Sequence, residues 1–220
     1  MRIVCISDTH NRLDKMKIPP GDLLLHAGDL TGRGSLDELR RFDQLLATLP
    51  HRHKVIIAGN HDWGFQREPA AARELIQSAV YLQDSEVTIQ GLRIYGSPWQ
   101  PWFLDWAFNG ARGGSLKPIW DRIPAGIDIL ITHGPPAGIG DHYSDVGRQG
   151  CEDLRARIGE VKPRLHLFGH IHQDGGFWQN GSTFFANVTT WECERAPTVL
   201  ELDPQTRRVV PVDIPPARRY

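Results

Sequence analysis

Aspartate, histidine and asparagine recur in this chain in short clusters that suit metal-dependent hydrolysis: Asp8-Thr9-His10, Gly28-Asp29, Asn60-His61-Asp62, Thr132-His133-Gly134 and His170-Ile171-His172. Carboxylate, imidazole and amide donors without thiolate favour Mn, Fe or Zn over copper or iron-sulfur clusters. Asp8, His10, Asp29, Asn60, His133, His170 and His172 make seven side chains, more than one metal ordinarily takes from a protein. Two metals sharing Asp29 would use them all. Metals held roughly 3.5 to 4 Å apart clamp the attacking and leaving oxygens of an in-line phosphoryl displacement and lower the pKa of a water between them. Hydroxide then becomes available at neutral pH without a protein nucleophile.

Each cluster stands at the end of an apolar run: RIVCIS before Asp8, DLLLHAG before Asp29, KVIIAG before Asn60, DILI before Thr132 and LHLFG before His170. Runs of this length, rich in β-branched residues, read as strands buried on both faces. Open α/β sheets bind ligands beyond the carboxyl ends of their strands. Polar residues at those ends are therefore expected to converge on one site.

The connecting segments alternate β with α over the first half. Ser35 reads as the N-cap of a helix from Leu36 to about Leu49, with apolar residues at 36, 39, 42, 45, 46 and 49. The strand Lys54 to Ala58 should lie parallel to the preceding one, and Pro69 opens a helix near Ala70 to Ala79. Val87 to Ile89 and Leu92 to Tyr95 flank Gln90-Gly91 as a hairpin. From Gly96 to about Leu116 no pattern holds, and Trp99, Trp102, Phe103, Trp106 and Phe108 crowd among prolines and glycines. A strand from Ile127 to Thr132, a helix from Glu152 to about Val161 and a strand from Leu165 to Phe168 follow. The last quarter reads as a meander: Gly176 to Gln179, Thr183 to Asn187, Thr198 to Leu202 and Val209 to Ile214. The mixture implies an α/β fold of two stacked sheets with helices outside.

At 220 residues the chain is expected to form one domain, 1–220, with a large core. A formal net charge of -1 gives no basic field, so nucleic-acid partners are disfavoured. No stretch is apolar for long enough to span a membrane, and no signal peptide is expected ahead of the first strand. Three cysteines without metal spacing read as reduced thiols of a cytoplasmic protein.

In this order, DxH, GD, GNHD, a lone histidine after a strand and GHxH resemble the calcineurin-like metallophosphoesterase superfamily. The resemblance runs from Ile3 to about Asn187. It implies a four-layer α/β/β/α sandwich, with Asp8, His10 and His172 on one metal, Asn60, His133 and His170 on the other, and Asp29 bridging. His61 would contact the substrate phosphate and protonate the leaving alkoxide, an assistance worth about 10² to 10⁴-fold. GSPWQPW, from Gly96 to Trp102, and THGPP, from Thr132 to Pro136, are similar to a branch that includes metallophosphoesterase-domain brain proteins and class III cyclic nucleotide phosphodiesterases. That similarity implies a small phosphodiester as substrate and two divalent or trivalent ions, Mn in assay with Fe or Zn as alternatives. The expected assembly is a monomer or homodimer.

One departure is informative. The protein-phosphatase branch carries GDxxDRG, whereas Gly32 stands here in place of the aspartate that orients the catalytic histidine. Asp62 reads as a loop-bracing carboxylate, which leaves open what holds His61. Arg33 and Trp63 are candidate substrate contacts, alongside Asn60 and His61. His26 and His166 lie inside strand patterns and read as packed, His51 and His53 read as a solvated loop, and Asn187 reads as a turn residue. Phosphomonoesterase or protein phosphatase on the same site, and a non-catalytic scaffold, are the rival functions.

Overall fold

A computed structural model describes residues 1–203, 205–206 and 208–213. Most of its described strands form two six-stranded sheets. The first is built from β1 (Arg2–Ile6), β2 (Leu23–Ala27), β3 (His53–Ile57), β4 (Val80–Tyr81) and two late strands, β11 (Thr198–Leu202) and β12 (Val209–Asp213). Their order across the sheet is β12-β11-β1-β2-β3-β4. The second contains β5 (Ser85–Ile89), β6 (Leu92–Ser97), β7 (Ile129–Thr132), β8 (Leu165–Phe168), β9 (Gly176–Asn180) and β10 (Thr183–Asn187), in the order β9-β10-β8-β7-β6-β5.

Strand parity builds the layers. In β1, Ile3 and Cys5 face the other sheet while Val4 and Ile6 face the helices, and all four are wholly buried. Leu165, Leu167, Ile129 and Ile131 supply the opposing inner face. Outside the first sheet lie α1 (Leu36–Ala47), α2 (Trp63–Arg67) and α3 (Pro69–Leu75), which bury Leu39, Phe42, Leu46 and Phe65. Outside the second lie α4 (Leu116–Asp121) and α5 (Glu152–Val161), burying Leu116, Trp120, Leu154 and Ile158. The result is the four-layer α/β/β/α sandwich.

Several expectations change. The helix foreseen at 70–79 is opened by Pro69 as expected but ends at Leu75, and a further short helix, Trp63–Arg67, precedes it. Helix α4 gave no periodic signal: Pro118 stands inside its first turn, where a missing N–H costs nothing. The segment before it contains a two-residue parallel pairing of Gln100–Pro101 with Asn109–Gly110. The last quarter is no meander. Strand β10 pairs parallel to β8, and the chain then crosses to the first sheet, where β11 pairs antiparallel to β1. The expected end of the last strand at Ile214 lies outside the described residues, and β12 is described to Asp213. His51 is buried rather than solvated, and burial lowers its pKa.

Candidate metal centre and active site

Strands β1, β2 and β3 run parallel in one sheet, and β7 and β8 run parallel in the other. Their carboxyl ends meet at one end of the sandwich. There Asp8, His10 and His172 bring one ligand atom each within 4.8 Å of one another, as do Asp29, His133 and His170. Asp29 lies between the groups: its Oδ2 is 3.7 Å from His10 Nε2 and 3.4 Å from His133 Nε2. Asn60 Oδ1 lies 2.9 Å from His133 Nε2. All seven residues singled out as ligands are therefore in one cluster, contributed by five strand ends.

The turns that carry them are conformationally demanding. Asp8, His10, Asp29 and His170 all adopt positive φ, at 58°, 41°, 56° and 67°, an uncommon region for residues with a Cβ. Gly28, at φ 99°, sits where a Cβ would come within 2.5 Å of His133 Nδ1. A Cβ on Gly59 would overlap Asp29 Oδ1. Glycine before a ligand thus lets the opposite ligand approach.

Further bonds fix how the ligands point. His133 Nδ1 lies 2.9 Å from the Ala27 carbonyl, so Nδ1 carries the proton and Nε2 faces the cavity. The His170 backbone N–H donates to the Asp8 carboxylate at 3.1 Å. Asp62 accepts from the backbone N–H groups of Gly59, Leu30 and Thr31 at 2.8, 3.1 and 2.9 Å. It braces the β2 and β3 loops; burial pushes its pKa up to about 6, with the charge of Asp29 adding to the rise. Asn187 does more than make a turn. Its Nδ2 donates to the carbonyls of Ile171 and Asp174 at 2.8 and 3.0 Å, tying down the loop of His170 and His172. No local sequence signal marks that role, since the contacts span sheet and loop.

Charge in the cavity fits cations. Burial opposes ionisation of Asp29, yet the His133 charge holds its pKa well below the ordinary value. For His133, burial lowers the pKa but Asp29 overrides it, raising the group to about 9. His172 is raised by Asp8 in the same way, against its burial, while burial lowers His10 and takes His170 to about 3. The His10 Nε2 atom is buried without a hydrogen-bond partner. His133 Nε2, with its proton on Nδ1, would turn a lone pair towards Asn60 Oδ1 and the Asp29 carboxylate. Such a site needs positive charge between its acceptors, supplied by protons or by metal ions. The donor set fits a pair of metal ions.

His61 stands beside this cluster. Its backbone N–H donates to Asp29 Oδ1 at 2.9 Å, and its Nδ1 lies 2.7 Å from the Gly32 carbonyl. The residue that replaces an aspartate thus holds the ring through its own backbone, leaving Nε2 for another partner. Glu38 organises that loop, closing the capping box of α1 with Ser35 and accepting from the Gly32 N–H at 3.2 Å. Of the two other sequence candidates, Arg33 is exposed on this loop, and Trp63 packs under the Arg67 guanidinium at 3.9 Å. The tryptophan brought against His61 is Trp106, stacked with ring centroids 4.1 Å apart. Phe103 meets His170 edge-on at 5.0 Å.

The calcineurin-like phosphoesterase family model matches residues 1–174. The chain belongs to that family. Metallophosphoesterase domain-containing protein 1 of Homo sapiens is 44% identical over 213 residues, covering 86% of this chain and 65% of the relative. The chain thus spans about two thirds of that relative's length. A 3',5'-cyclic adenosine monophosphate phosphodiesterase, CpdA of Pseudomonas aeruginosa, is 32% identical over 185 residues, covering 76% of this chain and 62% of that one. Among solved structures, TT1561 of Thermus thermophilus shares the fold with a TM-score of 0.65 at 15% identity, covering 96% of this chain and 98% of its own. As a member of this family the chain has a candidate ligand set to match, and among the described residues no helix is long and apolar enough to cross a membrane.

Proposed function

We propose that this metallophosphoesterase is a phosphodiesterase that hydrolyses small phosphodiesters such as cyclic nucleotides. The observation that carries the reading is the joint placement of His61 and the two ligand groups around Asp29. In this reading Asp8, His10 and His172 would hold one metal ion and Asn60, His133 and His170 the other, with Asp29 available to both. A bound pair supplies Lewis acidity and hydroxide at neutral pH. His61, tethered through Nδ1, presents Nε2 to the leaving oxygen and gives it a proton. Asn60 and His61 also orient the phosphoryl group, and Arg33 offers a countercharge from the loop above.

Diester chemistry is favoured over protein dephosphorylation by two features. Gly32 replaces the aspartate of the phosphatase pattern, and Phe103 and Trp106 lean over the histidines, narrowing the space for a folded protein substrate. The resemblance to a cyclic nucleotide phosphodiesterase supports the same choice. Mn is the metal we propose for assay, with Fe and Zn as the other fits to this donor set. Three free cysteines suit a reducing cytoplasm, with the protein acting as a monomer or homodimer on a small substrate.

The test is a panel of cyclic nucleotides, linear diesters, monoesters and a phosphopeptide, run on stripped protein with Mn, Fe or Zn restored. Metal-dependent turnover highest on diesters is expected. Turnover confined to monoesters or the phosphopeptide would overturn the diesterase reading, and metal uptake without turnover on any ester would establish a scaffold.

A further inference from the structure

The hydrogen bond from Nδ1 to the Gly32 carbonyl does not by itself fix the His61 ring, because the terminal torsion of histidine is broad. Something must close the face of the ring if Nε2 is to hold one direction. His10 bounds it edge-on, with centroids 4.5 Å apart and planes at 78°. Trp106 covers it nearly flat, at 4.1 Å and 24°.

Trp106 is itself held by a strap. The next residue, Ala107, donates its N–H to the carbonyl of Asn60, the neighbour of His61, at 3.0 Å. Phe108, at φ 54°, donates to Gln66 Oε1 at 2.7 Å. Asn109 Oδ1 accepts from the Phe103 N–H and from Gln100 Nε2 at 3.1 and 3.0 Å, and Gln100 Nε2 also reaches the Ala107 carbonyl at 2.8 Å. The half-buried indole is thus tied to the same loop that carries the ring it covers.

We infer that Trp106 is a positioning residue for His61, fixing the direction in which that imidazole presents Nε2 to the leaving oxygen. The inference rests on the reading of His61 as the leaving-group acid. It also gives the aromatic segment a catalytic purpose distinct from substrate stacking, because the indole face towards the site is already spent on the imidazole. A displaced acid loses rate without losing substrate, since misplacement of about 1 Å can cost roughly 10²-fold.

The experiment compares two diesters, one with an alkoxide leaving group that must be protonated and one with p-nitrophenolate, which departs unprotonated. His61→Ala in metal-replete protein should lower kcat for the alkyl ester by about 10² to 10⁴-fold and cost the aryl ester, which loses only the phosphoryl contact, much less. Trp106→Ala should repeat that asymmetry at about 10 to 10²-fold, with KM and metal content unchanged, and Trp106→Phe should restore most of the loss. Equal losses on both esters, a rise in KM alone, or loss of metal in both Trp106 variants would overturn the positioning role. A His61→Ala protein indifferent to the leaving group would remove the acid assignment itself, whereas indifference of Trp106→Ala alone would remove only this inference.

Discussion

His133 and His166 are both fully buried, lie on or just beyond neighbouring strands, and behave oppositely. Burial takes His166 down to about 3, and His26 in the other sheet to the same value. Each has a threonine hydroxyl for a partner, Thr132 at 2.8 Å and Thr9 at 3.0 Å, under an aromatic layer that includes Phe168 or Phe42. His133 suffers the same burial but faces Asp29, and is raised to about 9. The partner a buried histidine faces, a hydroxyl or a carboxylate, thus separates a neutral packing group from one held in an ionic cluster. Between these two histidines the Asp29 carboxylate from another strand, rather than burial, makes the difference.

The strongest way to break this contrast is to remove the shared carboxylate. Asp29→Asn should abolish metal retention, lose turnover by more than the roughly 10² to 10⁴-fold expected of a general acid, and bring the His133 pKa down towards that of His166. Metal analysis, a diester assay and histidine NMR of stripped protein check this; full metal occupancy with ordinary turnover would refute the role of Asp29.

Acid unfolding sharpens the contrast next. The folded pKa values of His26 and His166 lie below their ordinary 6.5, so the unfolded chain binds protons first as pH falls. Their contribution is present in full above about 6.5 and is lost as pH falls towards about 3, at up to roughly 1.4 kcal/mol per pH unit for each histidine. His133 has the opposite sign in metal-free protein: its contribution is present below its ordinary 6.5 and is lost as pH rises towards about 9. Urea titrations at several pH values should show both arms, with the alkaline arm suppressed by metal because a ligand must give up its proton.

Two tethers test how far the centre depends on groups that are not ligands. Asn187→Ala frees the loop of His170 and His172 and should weaken metal affinity about 10 to 100-fold, measured by competition with a chelator. Glu38→Ala breaks the capping box and loosens the Gly32 loop. It should cost about 1 kcal/mol of stability in denaturant titration, with a smaller fall in kcat and no change in bound metal.

The convergence of the candidate ligands was legible because two signals coincide: wholly apolar runs mark buried parallel strands, and metal-type residues follow each run. Helix α1 was equally plain from Ser35 and its apolar spacing, while α4 was hidden by Pro118 and a short apolar pattern. Asn187 and Trp106 were not legible as supports. Their partners, Ile171 and Asp174 for one and His61 for the other, are fixed by strand crossover and by the strap, neither of which has a local periodicity.

Taken alone, the amino-acid order determined which residues end the strands, that both faces of those strands are apolar, and that the candidate donors there are oxygen and nitrogen without sulfur. These properties are local, set by side-chain chemistry and a two-residue repeat. Tertiary structure decided that Asp29 lies between His10 and His133, that the Gly32 carbonyl holds His61, and that Trp106 rather than Trp63 covers it. Those are relations between distant segments, and they follow from how two twisted sheets stack and from which loops their strand ends bring within hydrogen-bonding distance.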